Sequence, residues 1–446
     1  MVDLGVPGAP PAFARPAQRR LARLAFVAAG AATLLVLTMA GLRAGVLLLA
    51  VAAAGMAAGL AGAWWFLTHR GLLRWLAAVV VILAPLAVAV MYARAGLIWV
   101  VVAFVLLWSA ALAAGRRALA VGDAPAGPRE YDTPPPRRPY LIMNPRSGDG
   151  KVGRFRLVER ARALGAEVVL LEGAGLDVTD LARQAVRDGA DLLGVAGGDG
   201  TQALVAGIAA EHGLPFMVIS AGTRNHFALD LGLDREDPAG CLAALTDGVE
   251  VRVDLGRIGR RTFVNNASFG AYAAVVRSPA YRADKTRTTL RMLPDLLVGQ
   301  QGPGLRLSAG GVEVAGPQAV LISNNPYVSD DIAGLAHRPR LDGGVLGVFA
   351  VTVRGAIDAA GLIRGRRRAS SLTLLTAGEA VIDANVPTVP VGIDGESVTM
   401  ETPIRCTIRP GALRVRVPRQ RPGVPPPRPE LDWTRLRHLA LSTGRR

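Results

Sequence analysis

The sequence predicts a three-part chain: an N-terminal α-helical transmembrane bundle of four spans, an α/β domain, and a mostly antiparallel β-sandwich domain. Three observations predict it. Four long apolar stretches fill the first quarter; strands and helices alternate over 139–248; and short β-rich runs separated by turn signals fill 249–417. The full division is a flexible arm at 1–20, membrane helices at 21–117, a Pro-rich linker at 118–138, the α/β domain at 139–248, the sandwich at 249–417 and a basic Pro/Arg-rich tail at 418–446.

The stretches Leu24–Leu42, Ala44–Leu67, Leu76–Tyr92 and Ala95–Ala114 carry charge only at their edges. Each approaches the ~20 residues that cross a bilayer. None shows the polar face of a soluble helix. Arg15, Arg19, Arg20, Arg23, Arg70, Arg74, Arg116 and Arg117 fall on one side of such a bundle, against Arg43 and Arg94 on the other. The excess of basic residues places the N-terminus and everything after residue 115 in the cytoplasm, in a multi-pass cell-membrane protein. Small residues in the spans (Gly41, Gly45, Gly55, Gly59, Gly62) suit close helix packing. No ionisable residue lies mid-span, so the pattern is not that of a transporter.

The chain has 51 Lys+Arg against 35 Asp+Glu, a net charge of +16. That balance favours polyanionic ligands or an anionic phospholipid surface. Nucleic acid is excluded as a partner, because the arginines are scattered and aromatics make up only 5%. Two distant cysteines, Cys241 and Cys406, form neither a disulfide framework nor a zinc pattern.

Within 139–248 the strand candidate PYLIM leads into NPRSGDGK (144–151), LLGVA leads into GGDGT (197–201), and PFMVIS leads into GTRN (222–225). Alternating strands and helices make a parallel sheet, whose ligands bind at the carboxyl ends of the strands. In the central turn Gly197, Gly198 and Gly200 let backbone N–H groups approach an anion at a helix start. Asp199 in such a site calls for a metal, water or hydroxyl between it and a phosphate. The alternative is a tight turn with Asp199 as helix N-cap. Ser147, Gly148 and Lys151 have phosphate-binding chemistry without the full P-loop pattern, and a solvated turn is the other reading. Thr223 and Asn225 read equally as caps. Later, Asp394-Gly395-Glu396 reads as a hairpin turn or as a carboxylate pair for acid–base work. Asp342-Gly343-Gly344 reads as a turn. Helical segments are expected at Ser278–Val298 and Ala356–Arg364, and a short one near Trp433–Leu441.

In order, NPRSGDGK, GGDGT, GTRN followed by FALDLGL, and the late DGE resemble the catalytic domain of the diacylglycerol kinase family, which includes sphingosine kinases and bacterial lipid kinases. The resemblance runs from about Tyr140 to Val417. It implies an α/β nucleotide-binding domain and a β-sandwich lipid-substrate domain with the active site between them. It also implies ATP and Mg²⁺, and transfer of the γ-phosphoryl group to a lipid hydroxyl, of diacylglycerol or a related lipid. Asn144, Ser147, Gly148 and Lys151 would lie near the phosphates. Gly197, Gly198, Asp199, Gly200 and Thr201 would form the central loop, with Gly222, Thr223 and Asn225 beside it. Asp394 would be the base, Glu396 would lie near the phosphates or metal, and Asp342 would help hold a structural magnesium.

A lipid acceptor fits a domain tethered at the bilayer. Arg282, Lys285, Arg364, Arg366, Arg367 and Arg368 are candidates for contact with anionic headgroups, or a solvated surface. A homo-oligomer remains open. The chain departs from the family pattern at His226, where relatives carry Asp, and at Leu204, where they carry Glu. Those departures keep open a weak or inactive membrane nucleotide or lipid sensor. GGDGT alone is shared with NAD kinase-like enzymes.

Overall fold

The structure, a computed structural model, describes residues 16–40, 42–69, 71–120, 128–172, 176–270, 304–327, 338–352, 372–423 and 431–442. The expected helices at 278–298 and 356–364, with Arg282, Lys285, Arg364 and Arg366–Arg368, lie outside these residues. The chain forms two compact units, 1–125 with 426–446, and 126–425.

The first unit begins with α1 (Pro16–Ala40), α2 (Leu42–Thr68), α3 (Leu72–Arg94) and α4 (Ile98–Ala120). Three helices are long and apolar enough to cross a membrane: Pro16–Met39, Leu72–Arg94 and Ile98–Leu119. The remaining apolar stretch, Ala50–Phe66 in α2, is shorter. The sequence pattern of four spans thus meets three candidates among the described residues, since the side chains of 40–49 are not described. The tail helix of this unit spans Trp433–Leu441, as the sequence predicts, and Leu436 is buried with Ala22, Ala118 and Leu119.

The second unit begins with β1 (Glu130–Asp132), inside the predicted linker. A parallel sheet follows: β2 (Pro139–Met143), β3 (Glu167–Leu170), β4 (Leu192–Ala196) and β5 (Pro215–Ile219), in the order β3-β2-β4-β5. Strands β2 and β4 are buried throughout, as their unbroken apolar runs require. The helices between them are α5 (Lys151–Arg154), α6 (Leu157–Ala163), α7 (Val178–Arg187) and α8 (Asp199–Glu211), with α9 (His226–Asp230) after β5. The chain steps from β2 outward to β3 and then back across to β4, so the direction of winding reverses between β2 and β4. A sheet of this kind opens its ligand crevice at that switch point.

The remaining strands are β6 (Gly248–Ile258), β7 (Arg261–Phe263), β8 (Asn266–Gly270), β9 (Leu305–Ala309), β10 (Val312–Ala315), β11 (Ala319–Asn324), β12 (Leu346–Val351), β13 (Leu372–Ala377), β14 (Glu379–Ala384), β15 (Thr388–Ile393), β16 (Glu396–Glu401) and β17 (Ile404–Pro418). A six-stranded antiparallel sheet, β13-β12-β11-β8-β15-β16, packs on the antiparallel strands of a second sheet. Phe263, Phe269, Leu307, Ile322, Val348, Ile382, Val391 and Cys406 fill the space between the two.

The second sheet is continuous with the parallel one. Strand β17 pairs with β6 along its length, with β14 at 404–407, and in parallel with β5 at 414–416. The last strand of the antiparallel region therefore completes the sheet begun at residue 139, a pairing that no local pattern reveals. A single long strand, irregular between Arg409 and Leu413, ties both lobes into one unit.

Candidate active site

Met143, Ala196 and Ile219, the last residues of β2, β4 and β5, pair in register. The three turns that follow them therefore start at one level of the sheet. Their glycines let them interlock. A Cβ on Gly222 would lie 2.6 Å from Asn225 Oδ1, 2.8 Å from Gly197 O and 2.9 Å from Gly198 Cα. Gly148, at φ +55°, backs onto the Ala221 carbonyl, where a Cβ would overlap it. The structure thus brings Asn144–Lys151, Gly197–Thr201 and Gly222–Asn225 together.

Asp199 is not the N-cap of α8. Gly198 holds that position with no side-chain cap, so the first-turn N–H groups have no side-chain acceptor among the described residues. Instead Asp199 accepts hydrogen bonds from the backbone N–H groups of His226 and Phe227, each 3.3 Å, and so caps α9. Asn225, fully buried in the left-handed region at φ +48°, accepts from Gly222 N (3.1 Å) and donates to Gly222 O (2.8 Å). Gln202 Nε2 donates to Gly197 O at 2.9 Å. A side chain on Gly198 would meet nothing within 4 Å. An uncapped helix start beside open space fits an anion.

The other wall comes from the sandwich. Asp394 and Gly395 form the two-residue turn between β15 and β16, with φ +46° and +87°. Positive φ at both positions is what a type I′ hairpin needs, so the turn reading holds. The carboxylate also does more than cap the turn. Its Oδ1 accepts from Asn265 N (2.8 Å) and Asn266 N (3.0 Å), and its Oδ2, among the described residues, only from Val264 N (2.8 Å). Burial pushes the Asp394 carboxyl up to about 7, and the charge of Asp199 adds to the shift, against the three N–H groups that favour its ionised form. Glu396, exposed at the end of the hairpin, lies against Gly200 across the cleft.

Other expected residues are placed as follows. Lys151 Nζ donates to the carbonyl of Arg235 (2.6 Å), and Arg235 in turn reaches the Arg224 carbonyl at 3.0 Å. Ser147 is half-buried, Thr223 is exposed, and Thr201 sits in the first turn of α8. Asp342 pairs with Arg340 at 2.9 Å, 27% exposed. Among the described residues no group of three His, Cys, Asp or Glu side chains is arranged to hold a metal ion. His226 is half-buried, and burial lowers its pKa despite the nearby carboxylates Asp199 and Asp230.

Sequence reasoning missed the buried frame between the walls. Asp230 and Arg338 pair at 2.7 Å, both buried. Asp254, also buried, accepts from Asn325 Nδ2, Gly344 N and Gly411 N. The signal for Asp230 was a charge within the apolar run FALDLGL. Arg338 carries no local signal.

The family model of the Diacylglycerol kinase catalytic domain matches residues 138–258, which hold the three turns of the α/β lobe but not Asp394 or Glu396. A diacylglycerol kinase of Mycobacterium tuberculosis is 32% identical over 120 residues, 26% of this chain and 39% of the relative. One of Bacillus subtilis is 33% identical over 187 residues, 40% of this chain and 60% of the relative. The chain thus spans between about two fifths and three fifths of these relatives. The crystal structure of a candidate diacylglycerol kinase from Bacillus anthracis superposes with a TM-score of 0.51 at 19% identity, covering 63% of this chain and 96% of that one, which shows a shared fold. The chain therefore carries, over residues 138–258, a region similar to the Diacylglycerol kinase catalytic domain, with apolar helices before it that fit a membrane region.

Proposed function

We propose that the protein is a membrane-anchored, ATP-dependent lipid kinase that transfers the γ-phosphoryl group to the hydroxyl of diacylglycerol or a related lipid. The observation that supports this reading is Glu396 against Gly200 of the central turn, with Asp394 on the same hairpin and near enough to Asp199 for that charge to raise its carboxyl. Phosphoryl transfer asks a protein for positioning and charge stabilisation rather than covalent chemistry. The α8 amides and the backbone of Gly197 and Gly198 hold the phosphates. Asn144, Ser147, Gly148, Lys151, Gly222, Thr223, Asn225 and Glu396 line the same turns.

Asp199, in the central turn, would hold Mg²⁺ with the phosphates, and the ion would neutralise charge on the transferred group. Asp342 is the candidate for a structural magnesium. Asp394 Oδ2, with one N–H on it, keeps a lone pair for the lipid hydroxyl. It takes the proton as the lipid oxygen bonds to the γ-phosphorus and the bond to the departing diphosphate breaks. The four apolar stretches would anchor the domains at 139–248 and 249–417 on the cytoplasmic face, where basic residues meet anionic lipid; the state of assembly is left open.

The test is detergent-purified full-length protein with γ-labelled ATP, Mg²⁺ and total bacterial lipid. A labelled lipid from wild type that is absent with Asp394→Asn supports the reading. ATP binding without labelled lipid would instead favour the sensor, which His226 and Leu204 motivate, since neither side chain adds a carboxylate for Mg²⁺.

A second expectation concerns Gly198. Its backbone is extended (φ −75°, ψ 167°), so alanine fits without strain. Gly198→Ala leaves thermal stability unchanged and weakens ATP binding on the order of 10-fold, a loss a single well-placed methyl can cause. Calorimetric titration with ATP checks it, and unchanged affinity would place the phosphates elsewhere.

A further inference from the structure

Three backbone N–H groups hold the Asp394 carboxylate, those of Val264, Asn265 and Asn266. Arg338 reaches two of these residues directly, while Asn324 donates to Val264 O (Nδ2, 3.3 Å) and Asn265 O (N, 2.9 Å) and Asp394 N donates to Asn266 O (3.0 Å). Arg338, fully buried, donates from Nη1 to Val264 O (2.6 Å) and Asn324 O (2.7 Å) and from Nη2 to Asn265 Oδ1 (2.8 Å). Its guanidinium lies 5.6 Å from the centre of the Tyr327 ring, and the Tyr327 hydroxyl accepts from Asn266 Nδ2 at 3.1 Å. Nε and the backbone N–H go to the two oxygens of Asp230 at 2.7 and 2.8 Å. Asp230 closes α9, whose first amides bind Asp199.

We propose that Arg338 is the positioning residue for Asp394, fixing the 264–266 segment and registering it on the helix that holds Asp199. The consequence for catalysis rests on the kinase reading above; the consequence for the segment does not. A guanidinium suits the task because its planar fork serves several fixed acceptors at once, whereas an ammonium is a point charge on a flexible stem. A buried ion pair alone would need only the Asp230 contact. The extra donors on Val264 and Asn265 go to the residues that carry the catalytic carboxylate.

That difference selects the variant. Arg338→Lys keeps the buried charge opposite Asp230 but cannot reach Val264 O, Asn324 O and Asn265 Oδ1 together. The full-length protein in detergent is the sample, with Asp230→Asn/Arg338→Met as a second variant that removes both charges. In lipid phosphorylation, kcat per folded molecule falls on the order of 10²-fold, the scale of a misplaced reacting group. KM for ATP stays within about twofold, because the three glycine turns are untouched. Amide hydrogen exchange read by mass spectrometry speeds up in the peptide carrying 264–266 and stays as in wild type in peptides from β4 and α8. Wild-type kcat, or unchanged exchange in that peptide, overturns the proposal. If wild type itself phosphorylates no lipid, the kinase reading falls, and the exchange of 264–266 alone decides for or against the role of Arg338.

Discussion

Asp394→Asn is expected to lower kcat for the proposed lipid phosphorylation by about 10²–10⁴-fold, the contribution of a positioned general base, with ATP binding retained. The amide keeps the size of the side chain and an oxygen for the N–H groups of Asn265 and Asn266. It loses the basic lone pair on Oδ2, the atom that accepts from Val264 N. In wild type the acid limb of the pH profile follows the same carboxyl. Its pKa is pushed up to about 7, so kcat/KM rises with pH toward that value and levels off above it. Stability runs the other way. The folded state holds the Asp394 proton more tightly than the unfolded chain, so this group's contribution to stability falls as pH climbs from the ordinary carboxylate range to about 7, and is flat beyond. Rate and thermal midpoint are therefore expected to move in opposite directions over that window, and the Asn variant loses both dependences. A profile with no acid limb near 7, or a variant as fast as wild type, would remove Asp394 from the reaction.

Much of the α/β lobe was legible because its signals are local. Unbroken apolar runs ending in glycine turns gave β2, β4 and β5, and their register then places the three turns side by side. Asp394-Gly395 offered two readings, hairpin or base; the structure shows the hairpin, and the carboxylate that this I′ turn presents is the base of the proposed reaction. Asp199 shows the limit of local reading. A residue that begins a helix after Gly198 looks like a cap for that helix, yet its partners are amides 27 and 28 positions on. Arg338 was invisible for the same reason, since its acceptors stand 108, 74, 73 and 14 positions away and only the fold of α9 against the antiparallel strands brings them together. Strand β17 returns to β5 some two hundred positions earlier in the chain, which makes one sheet of what reads as two consecutive domains.

Gly222→Ala is expected to damage both stability and nucleotide binding, in contrast to Gly198→Ala. Its methyl would sit 2.6 Å from Asn225 Oδ1, 2.8 Å from Gly197 O and 2.9 Å from Gly198 Cα. Two of those atoms are backbone, at the end of the neighbouring strand β4, so no flexible side chain can yield. Relief requires the 197–198 and 222–225 turns to separate. The overlap with Oδ1 also pushes the Asn225 amide away and breaks its pair of bonds to Gly222, at a buried residue already held in a left-handed backbone. Overpacking of this kind costs about 1–3 kcal/mol. Because the same two turns frame the expected phosphate position, ATP affinity falls on the order of 10²-fold in the folded fraction, a scale set by the sensitivity of preorganised sites to shifts of about 1 Å. Thermal unfolding and ATP titration of Gly222→Ala and Gly198→Ala together separate the causes. A Gly222 variant that loses stability yet binds ATP as wild type does would show that the junction of the turns is structural, and that the nucleotide is held elsewhere in the cleft.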